Sequence, residues 1–203
     1  MTRPTRRALL AAAGAALFAG CESEREPTIS STRSPAPAPT YTETPEGPSL
    51  TASLPGASLP SAPASERTVT MGCDNEDKVY FFSPALVWVE PGATIRWGLA
   101  SQCRQQSLAY HPDNDRPLRM PADAEPWASP VMQGSGTFSH ELTVPGVYDV
   151  AGLFEDAGQV STVVVGRPTL ADEPAMTDDG SALPAPARES FETLHRALRA
   201  GFE

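Results

Sequence analysis

The side chains with the greatest chemical potential in this 203-residue chain are three cysteines and three histidines. The histidines are scattered, and no Ser-His-Asp order, phosphate-binding loop or dinucleotide motif accompanies them. We expect His111 to fix its loop through a hydrogen bond beside Asp113 and Asp115, with a metal site there as the alternative. His140 is expected to face solvent from the middle of a strand, and His195 to lie in the C-terminal tail. This pattern predicts that the protein is not an enzyme.

Cys21 ends an N-terminal segment with the features of an export signal. Arg6-Arg7 precede an apolar run that ends at Ala19, and the run is too short to span a bilayer. Residues 1–20 therefore predict a signal peptide of the twin-arginine type, and the residues before Cys21 resemble a lipoprotein cleavage site. Lipid at Cys21 would anchor the exported chain to the outer face of the cell membrane. The alternative is an ordinary signal peptide with an incidental cysteine.

Cys73 and Cys103 remain as a pair if Cys21 carries lipid. Disulfides form and persist in the oxidising compartment outside the cell, so we predict a disulfide between them. The alternative is that the two thiols are metal ligands. No CxxC spacing or neighbouring histidine cluster favours this second interpretation.

The charge of the chain is strongly acidic, with 25 Asp and Glu against 15 Lys and Arg. A nucleic-acid-binding protein is expected to carry a basic face, so this balance argues against DNA or RNA as a partner. Many carboxylates with a single lysine, Lys78, are typical of halophilic proteins, in which high salt screens self-repulsion. An ordinary acidic secreted protein is the alternative.

The chain is expected to contain one folded domain between two disordered segments. Residues 21–66 are rich in Pro, Ser and Thr without apolar periodicity, which predicts a disordered linker. Residues 67–166 carry short apolar runs separated by Pro and Gly turns, which predicts an all-β sandwich of seven to eight strands. The expected strands are 68–71, 79–82, 85–89, 93–98, 107–110, 136–144, 146–154 and 159–166. An ordered, irregular excursion is expected over 111–135.

The C-terminal tail is predicted to be a disordered linker over 167–187 followed by a short amphipathic helix over 188–203. Phe191, Leu194, Leu198 and Phe202 form one apolar stripe at helical spacing. This stripe is expected either to pack on its own domain or to dock on a partner or the membrane surface.

Three stretches of the domain resemble the cupredoxins, the family of blue type 1 copper proteins. The run 83–97, SPALVWVEPGATIRW, is similar to a strand-turn-strand signature of that family. The stretches 109–119 and 124–129, AYHPDNDRPLR and AEPWAS, resemble the plastocyanin- or halocyanin-like branch of halophilic archaea. The resemblance covers about 67–166 and implies a Greek-key β-sandwich.

The resemblance also identifies four positions that bind copper in such relatives, and none of them carries the expected ligand. These positions hold Gln105, Gly152, Glu155 and Gln159, and no Cys, His or Met occurs between 147 and 166. A type 1 site needs a thiolate and two imidazoles, so no metal is expected. A residual polar site of Gln105, Gln106 and Glu155 is possible; alternatively these groups bond one another and water.

We therefore expect a cell-surface lipoprotein whose degenerate, metal-free cupredoxin-like domain acts as a binding or interaction module. The alternative is a copper-binding electron-transfer protein of the halocyanin or plastocyanin type. The expected partners are the membrane, through lipid at Cys21, and a protein that contacts helix 188–203 or the end of the sandwich.

Overall fold

The computed structural model of the chain describes residues 54–74, 76 and 79–203. The predicted signal peptide, Cys21 and the linker as far as residue 53 lie outside the described residues. Within the described part, no helix combines the length and apolar character needed to cross a membrane.

Seven strands form one mixed sheet. They are β1 (Ala64–Asp74), β2 (Val79–Ser83), β3 (Leu86–Leu99), β4 (Ser107–Ala109), β5 (Thr137–Leu142), β6 (Gly146–Gly152) and β7 (Val160–Val165). The strand order is β2-β1-β3-β7-β6-β4, and β5 pairs with β3. Strand β3 runs parallel to β1 and β7, and the other pairs are antiparallel. The predominance of β-structure and the number of strands predicted from the sequence are confirmed.

Strand β3 differs from the prediction, because the segments expected as strands 85–89 and 93–98 are one continuous strand. Its first half, Leu86–Val89, pairs with β7, and Ala93–Gly98 pairs with β5. The turn expected at 90–92 is instead an exposed stretch of this strand, where the register against β1 shifts. Pro91 and Gly92 therefore bend the strand between two sets of partners without reversing the chain.

Two apolar clusters lie on opposite faces of the central strands. Val87 of β3 and Val163 of β7 belong to the first cluster, which also contains Trp97 and Trp127. The neighbouring residues of β3 and β7 point the other way, into a second cluster with the C-terminal helix. Strands β6 and β7 are consequently buried along their whole length, which explains the continuous β-branched run of β7.

The C-terminal helix, α2, spans Ala185–Phe202, three residues longer at its start than predicted. Its apolar stripe is buried against the domain: Phe191, Leu194 and Leu198 are each no more than 1% exposed. The prediction that the helix packs on its own domain is confirmed. A docking role for this helix would have to use its other face.

The segments expected to be disordered on either side of the domain contain ordered residues that complete the second cluster. Residues 167–187 hold a 3-10 helix at Leu170–Asp172 and a short helix, α1, at Pro174–Thr177. Ala175, Leu183 and, on the N-terminal side, Leu54 are buried in the second cluster. These segments differ from the prediction because a few anchoring residues hold an otherwise polar, proline-rich chain in place.

His140 also differs from its expected position. It alternates along β5 with Phe138 and Leu142 on the side that faces the first cluster, and it is half-buried rather than facing solvent. Its ring stacks on Trp127 with centroids 4.9 Å apart. Burial, the largest influence on this group, lowers the pKa of the imidazole below its ordinary value.

Candidate functional site

Two buried glutamines meet at the end of the sheet where the resemblance placed a metal. Gln105 and Gln159 are fully buried, and the Gln159 amide donates a hydrogen bond from Nε2 to Gln105 Oε1. We call these two residues the amide pair. Neither side chain is charged, so the pair fills the interior without the cost of burying an ion.

The amide pair also joins three other parts of the chain. Gln105 Nε2 donates to the carbonyl of Gly72 in β1 at 3.2 Å. Gln159 Nε2 lies 3.4 Å from the carbonyl of Phe81 in β2, and Gln159 Oε1 accepts from the backbone of Phe154 at 3.2 Å. The polar atoms of both amides are thus bonded, which is what a buried amide requires.

Gly152, at the position that the resemblance assigns to a copper-binding cysteine, is needed to make room for the amide pair. A Cβ atom placed on Gly152 would lie 2.3 Å from both Cδ and Oε1 of Gln159, far inside van der Waals contact. The backbone of Gly152 donates to the Gln159 carbonyl at 2.9 Å, so the two residues are held face to face. The Gln159 side chain therefore occupies the space that a side chain at residue 152 would take.

Glu155 lies in a 3-10 helix, Glu155–Ala157, and has partners of its own. Its Oε2 accepts from Arg116 Nε at 2.9 Å and from the Tyr110 hydroxyl at 3.4 Å. Burial and, secondarily, the negative charge of Glu155 raise the pKa of Tyr110.

Gln106 has a different partner, because its Nε2 donates to the carbonyl of Ser129 at 2.9 Å. Gln105, Gln106 and Glu155 therefore have separate partners and do not share one polar site.

The predicted disulfide borders the amide pair and is confirmed. Cys73 and Cys103 are bonded, with Cα atoms 6.3 Å apart. Cys73 follows Gly72, the acceptor of the Gln105 amide, and Cys103 is two residues before Gln105. The disulfide thus holds together two of the segments that the amide pair joins.

His111 has the structural role expected for it. It precedes a 3-10 helix, Pro112–Asn114, and its Nδ1 accepts from the backbone of Asp113 at 3.2 Å. The predicted loop-fixing hydrogen bond is confirmed.

The residues at the four positions that the resemblance assigns to copper ligands do not suit a type 1 copper ion. Such a site requires a thiolate and two imidazoles, whereas this end of the sheet presents two amides already bonded to each other and a glycine without room for a side chain. In the described residues, 54–74, 76 and 79–203, no group of three or more His, Cys, Asp and Glu is placed to hold a metal ion.

A second polar cluster, not anticipated from the sequence, centres on the fully buried Asp149 of β6. Its Oδ1 accepts from Thr162 Oγ1 at 2.7 Å and is 2.9 Å from His195 Nε2, while its Oδ2 accepts from Arg119 Nε at 2.9 Å. Arg119 also forms an ion pair with Asp178 and donates to the Ala175 carbonyl at 3.1 Å. We call these groups the Asp149 cluster. No spacing in the sequence indicated it, because its members come from five separate segments.

Searches with protein-family models found no match, and no curated protein matched the chain. Solved structures do match. A pseudoazurin from Sinorhizobium has a TM-score of 0.53 and 21% identity, covering 67% of this chain and 98% of the other. The pseudoazurin of Methylobacterium extorquens AM1 gives 0.52 and 21%, covering 66% and 98%. The chain has the cupredoxin fold.

A third match, the native pseudoazurin of Hyphomicrobium denitrificans, has a TM-score of 0.50 and 17% identity, and covers 64% of this chain and 97% of that one. Each of the three matches covers about two thirds of this chain, which is more than the 100 residues from 67 to 166. Identities this low show the fold and carry no ligand or activity to this chain.

Proposed function

We propose that the protein is an exported, non-catalytic lipoprotein, anchored by lipid at Cys21 to the outer face of the cell membrane. Its metal-free cupredoxin-fold domain acts as a binding or interaction module. One observation carries the metal-free part: the Gln159 side chain fills the space beside Gly152 and bonds to Gln105, in place of a metal and its ligands.

The chemistry of the donors supports this proposal. Amide oxygens are hard, neutral ligands, whereas the strong bond of a type 1 copper ion is made by a thiolate. Both cysteines in the described part of the chain are bonded to each other in the disulfide, so neither offers a thiolate. A copper ion at this end would have to break the hydrogen bonds of two fully buried amides without gaining a sulfur ligand.

The deciding experiment is copper uptake by the exported protein. The purified protein is incubated with excess Cu(II), dialysed and measured for metal content and absorption, with a known blue-copper protein treated in parallel. We expect less than one copper per chain and no intense blue band. Stoichiometric copper with a blue band would overturn the proposal and favour the alternative, an electron-transfer protein of the halocyanin or plastocyanin type.

Two matched variants test whether the amide pair is what prevents copper binding. Gly152→Cys offers a thiolate but leaves Gln159 in its way, whereas Gly152→Cys with Gln159→Ala offers the thiolate and the space. We expect the second variant to retain more Cu(II) than the first.

The lipid anchor is tested separately. Cys21→Ser should move the protein from the membrane fraction to the soluble fraction.

A further inference from the structure

A cavity of about 270 Å³ lies beside α2. One wall is the face of α2 that carries Arg188, His195, Arg196 and Arg199. The opposite wall comes from the ordered tail around Gly180, and buried Arg119 also lines the cavity. We call it the arginine cavity.

The positive charge of this cavity is unusual for the chain. The protein carries a net charge of −10, yet the cavity is lined by four arginines. Arg188, Arg196 and Arg199 stand on one face of α2, because separations of eight and eleven residues return close to the same side of a helix. In the part of the chain that the structure describes, none of these three forms an ion pair with a carboxylate.

The acidic groups around the cavity are only partly free to neutralise it. Asp178 is bonded to Arg119 and accepts from the backbone of Gly180 at 2.9 Å. Asp179 accepts from the backbone of Ser181 at 2.9 Å. Glu192 is the third carboxylate in the lining, and it is exposed on α2. Three arginines without ion-pair partners therefore face two exposed carboxylates, one of which is already bonded to backbone.

The floor of the cavity is rigid and polar. His195 has only 6% of its side chain exposed, and Asp149 engages its Nε2 at 2.9 Å. Arg119, 3% exposed, is held by Asp149, Asp178 and the Ala175 carbonyl, so its charge is already compensated and the unpaired positive charge of the cavity comes from the three arginines of α2.

We propose that the arginine cavity binds a small, multiply charged oxyanion of the phosphate type. Guanidinium groups are suited to such an anion because their planar N–H forks match two oxygens at once. Arg196 and Arg199 are exposed and supply two such forks, and Arg188 adds a third guanidinium in the same lining. This ligand class rests on the binding role proposed above, but it does not depend on whether the end of the sheet at the amide pair holds a metal.

The test uses the whole exported protein with inorganic phosphate as the probe and sodium chloride at equal ionic strength as the reference. Phosphate binding is measured by calorimetry, and the melting temperature is followed as phosphate is increased. We expect one saturable site and a melting temperature that rises with phosphate concentration, because a ligand of the folded state stabilises it by mass action. Chloride should give neither. Equal responses to phosphate and chloride would overturn the proposal.

Variants then locate the site. Arg196→Gln with Arg199→Gln changes two exposed side chains, so the fold is retained, and the dissociation constant for phosphate should rise by about tenfold or more. Arg104→Gln, an exposed arginine outside the cavity lining, is the matched control and should leave it unchanged. An unchanged constant in the double variant, or an equal loss in the control, would refute this site. Copper uptake together with phosphate binding would refute only the metal-free proposal.

Discussion

The β6–β7 hairpin contains two buried polar clusters that differ in charge. At its turn end, Gln159 lies against Gly152 and forms the neutral amide pair with Gln105, and this pair reaches β1 and β2. Further along, Asp149 lies opposite Thr162 and belongs to a charged cluster that reaches α2 and the ordered tail. Both clusters are fully buried at their centres, so burial alone does not distinguish them.

The difference between the clusters lies in what remains when one member is removed. Losing one amide leaves a neutral donor or acceptor unsatisfied, which costs about 1–3 kcal/mol. Losing the partner of a buried ion leaves an uncompensated charge, which costs about 3–5 kcal/mol. The charged cluster should therefore control the stability of the fold and the attachment of α2, whereas the amide pair should tolerate replacement if both members are replaced together.

Asp149→Ala is expected to have the largest effect. It removes the carboxylate that accepts from Arg119, Thr162 and His195, and it leaves Arg119 buried with only Asp178 as a charged partner. We expect the free energy of unfolding, measured by denaturant titration, to fall by about 3–5 kcal/mol. Glu66→Gln is the control, because its ion pair with Arg96 at 3.1 Å is exposed and should contribute about 0–1 kcal/mol. Similar losses in the two variants would contradict the comparison.

The amide pair is tested by a double-mutant cycle with Gln105→Leu and Gln159→Leu. Each single change leaves the other amide without its partner and should lower the free energy of unfolding by about 1–3 kcal/mol. The double variant should lose less than the two single losses added together, with a coupling of about 0.5–3 kcal/mol, because the unsatisfied partner is gone. Additive losses would show that the two amides do not act as a pair.

The contrast between the clusters also explains how much of the molecule could be predicted from the sequence. Strand content follows from local patterns of apolar residues and turns, and the disulfide was predicted from the cysteine count and the oxidising compartment expected for an exported chain. The absence of Cys, His and Met from the hairpin is visible in the sequence itself. The hydrogen bond between Gln105 and Gln159 could not be predicted, because these residues are 54 positions apart and glutamine has no preferred partner in sequence.

The Asp149 cluster was missed for a related reason. His195 and Asp149 are 46 residues apart, and no local pattern connects a helix in the tail with the middle of a strand. The tail over 167–187 was expected to be disordered because its composition is polar and proline-rich. Its order depends on a few tertiary contacts, such as the Arg119 bond to the Ala175 carbonyl, which composition does not report.

The smallest expected effect depends on pH. Glu173, in the ordered tail, accepts from the backbone of Val147 in β6 at 2.9 Å. Burial is the largest influence on this group, and it raises the pKa of the Glu173 carboxyl above its ordinary value of 4.5. The folded protein therefore holds this proton more tightly than the unfolded chain does. Its contribution to stability is present below pH 4.5 and is lost as the pH rises through the folded pKa.

Glu173→Gln keeps an oxygen to accept from Val147 and removes the titrating charge. The variant should be slightly more stable than the wild type at neutral pH, and the two should converge below pH 4.5, as measured by thermal unfolding across that range. Gln159→Leu serves as the reference from the neutral cluster, because its loss involves no ionisable group and should stay constant with pH. If the Glu173→Gln variant were still more stable than the wild type at low pH, the titration of Glu173 would not explain the difference. A difference in packing would explain it instead.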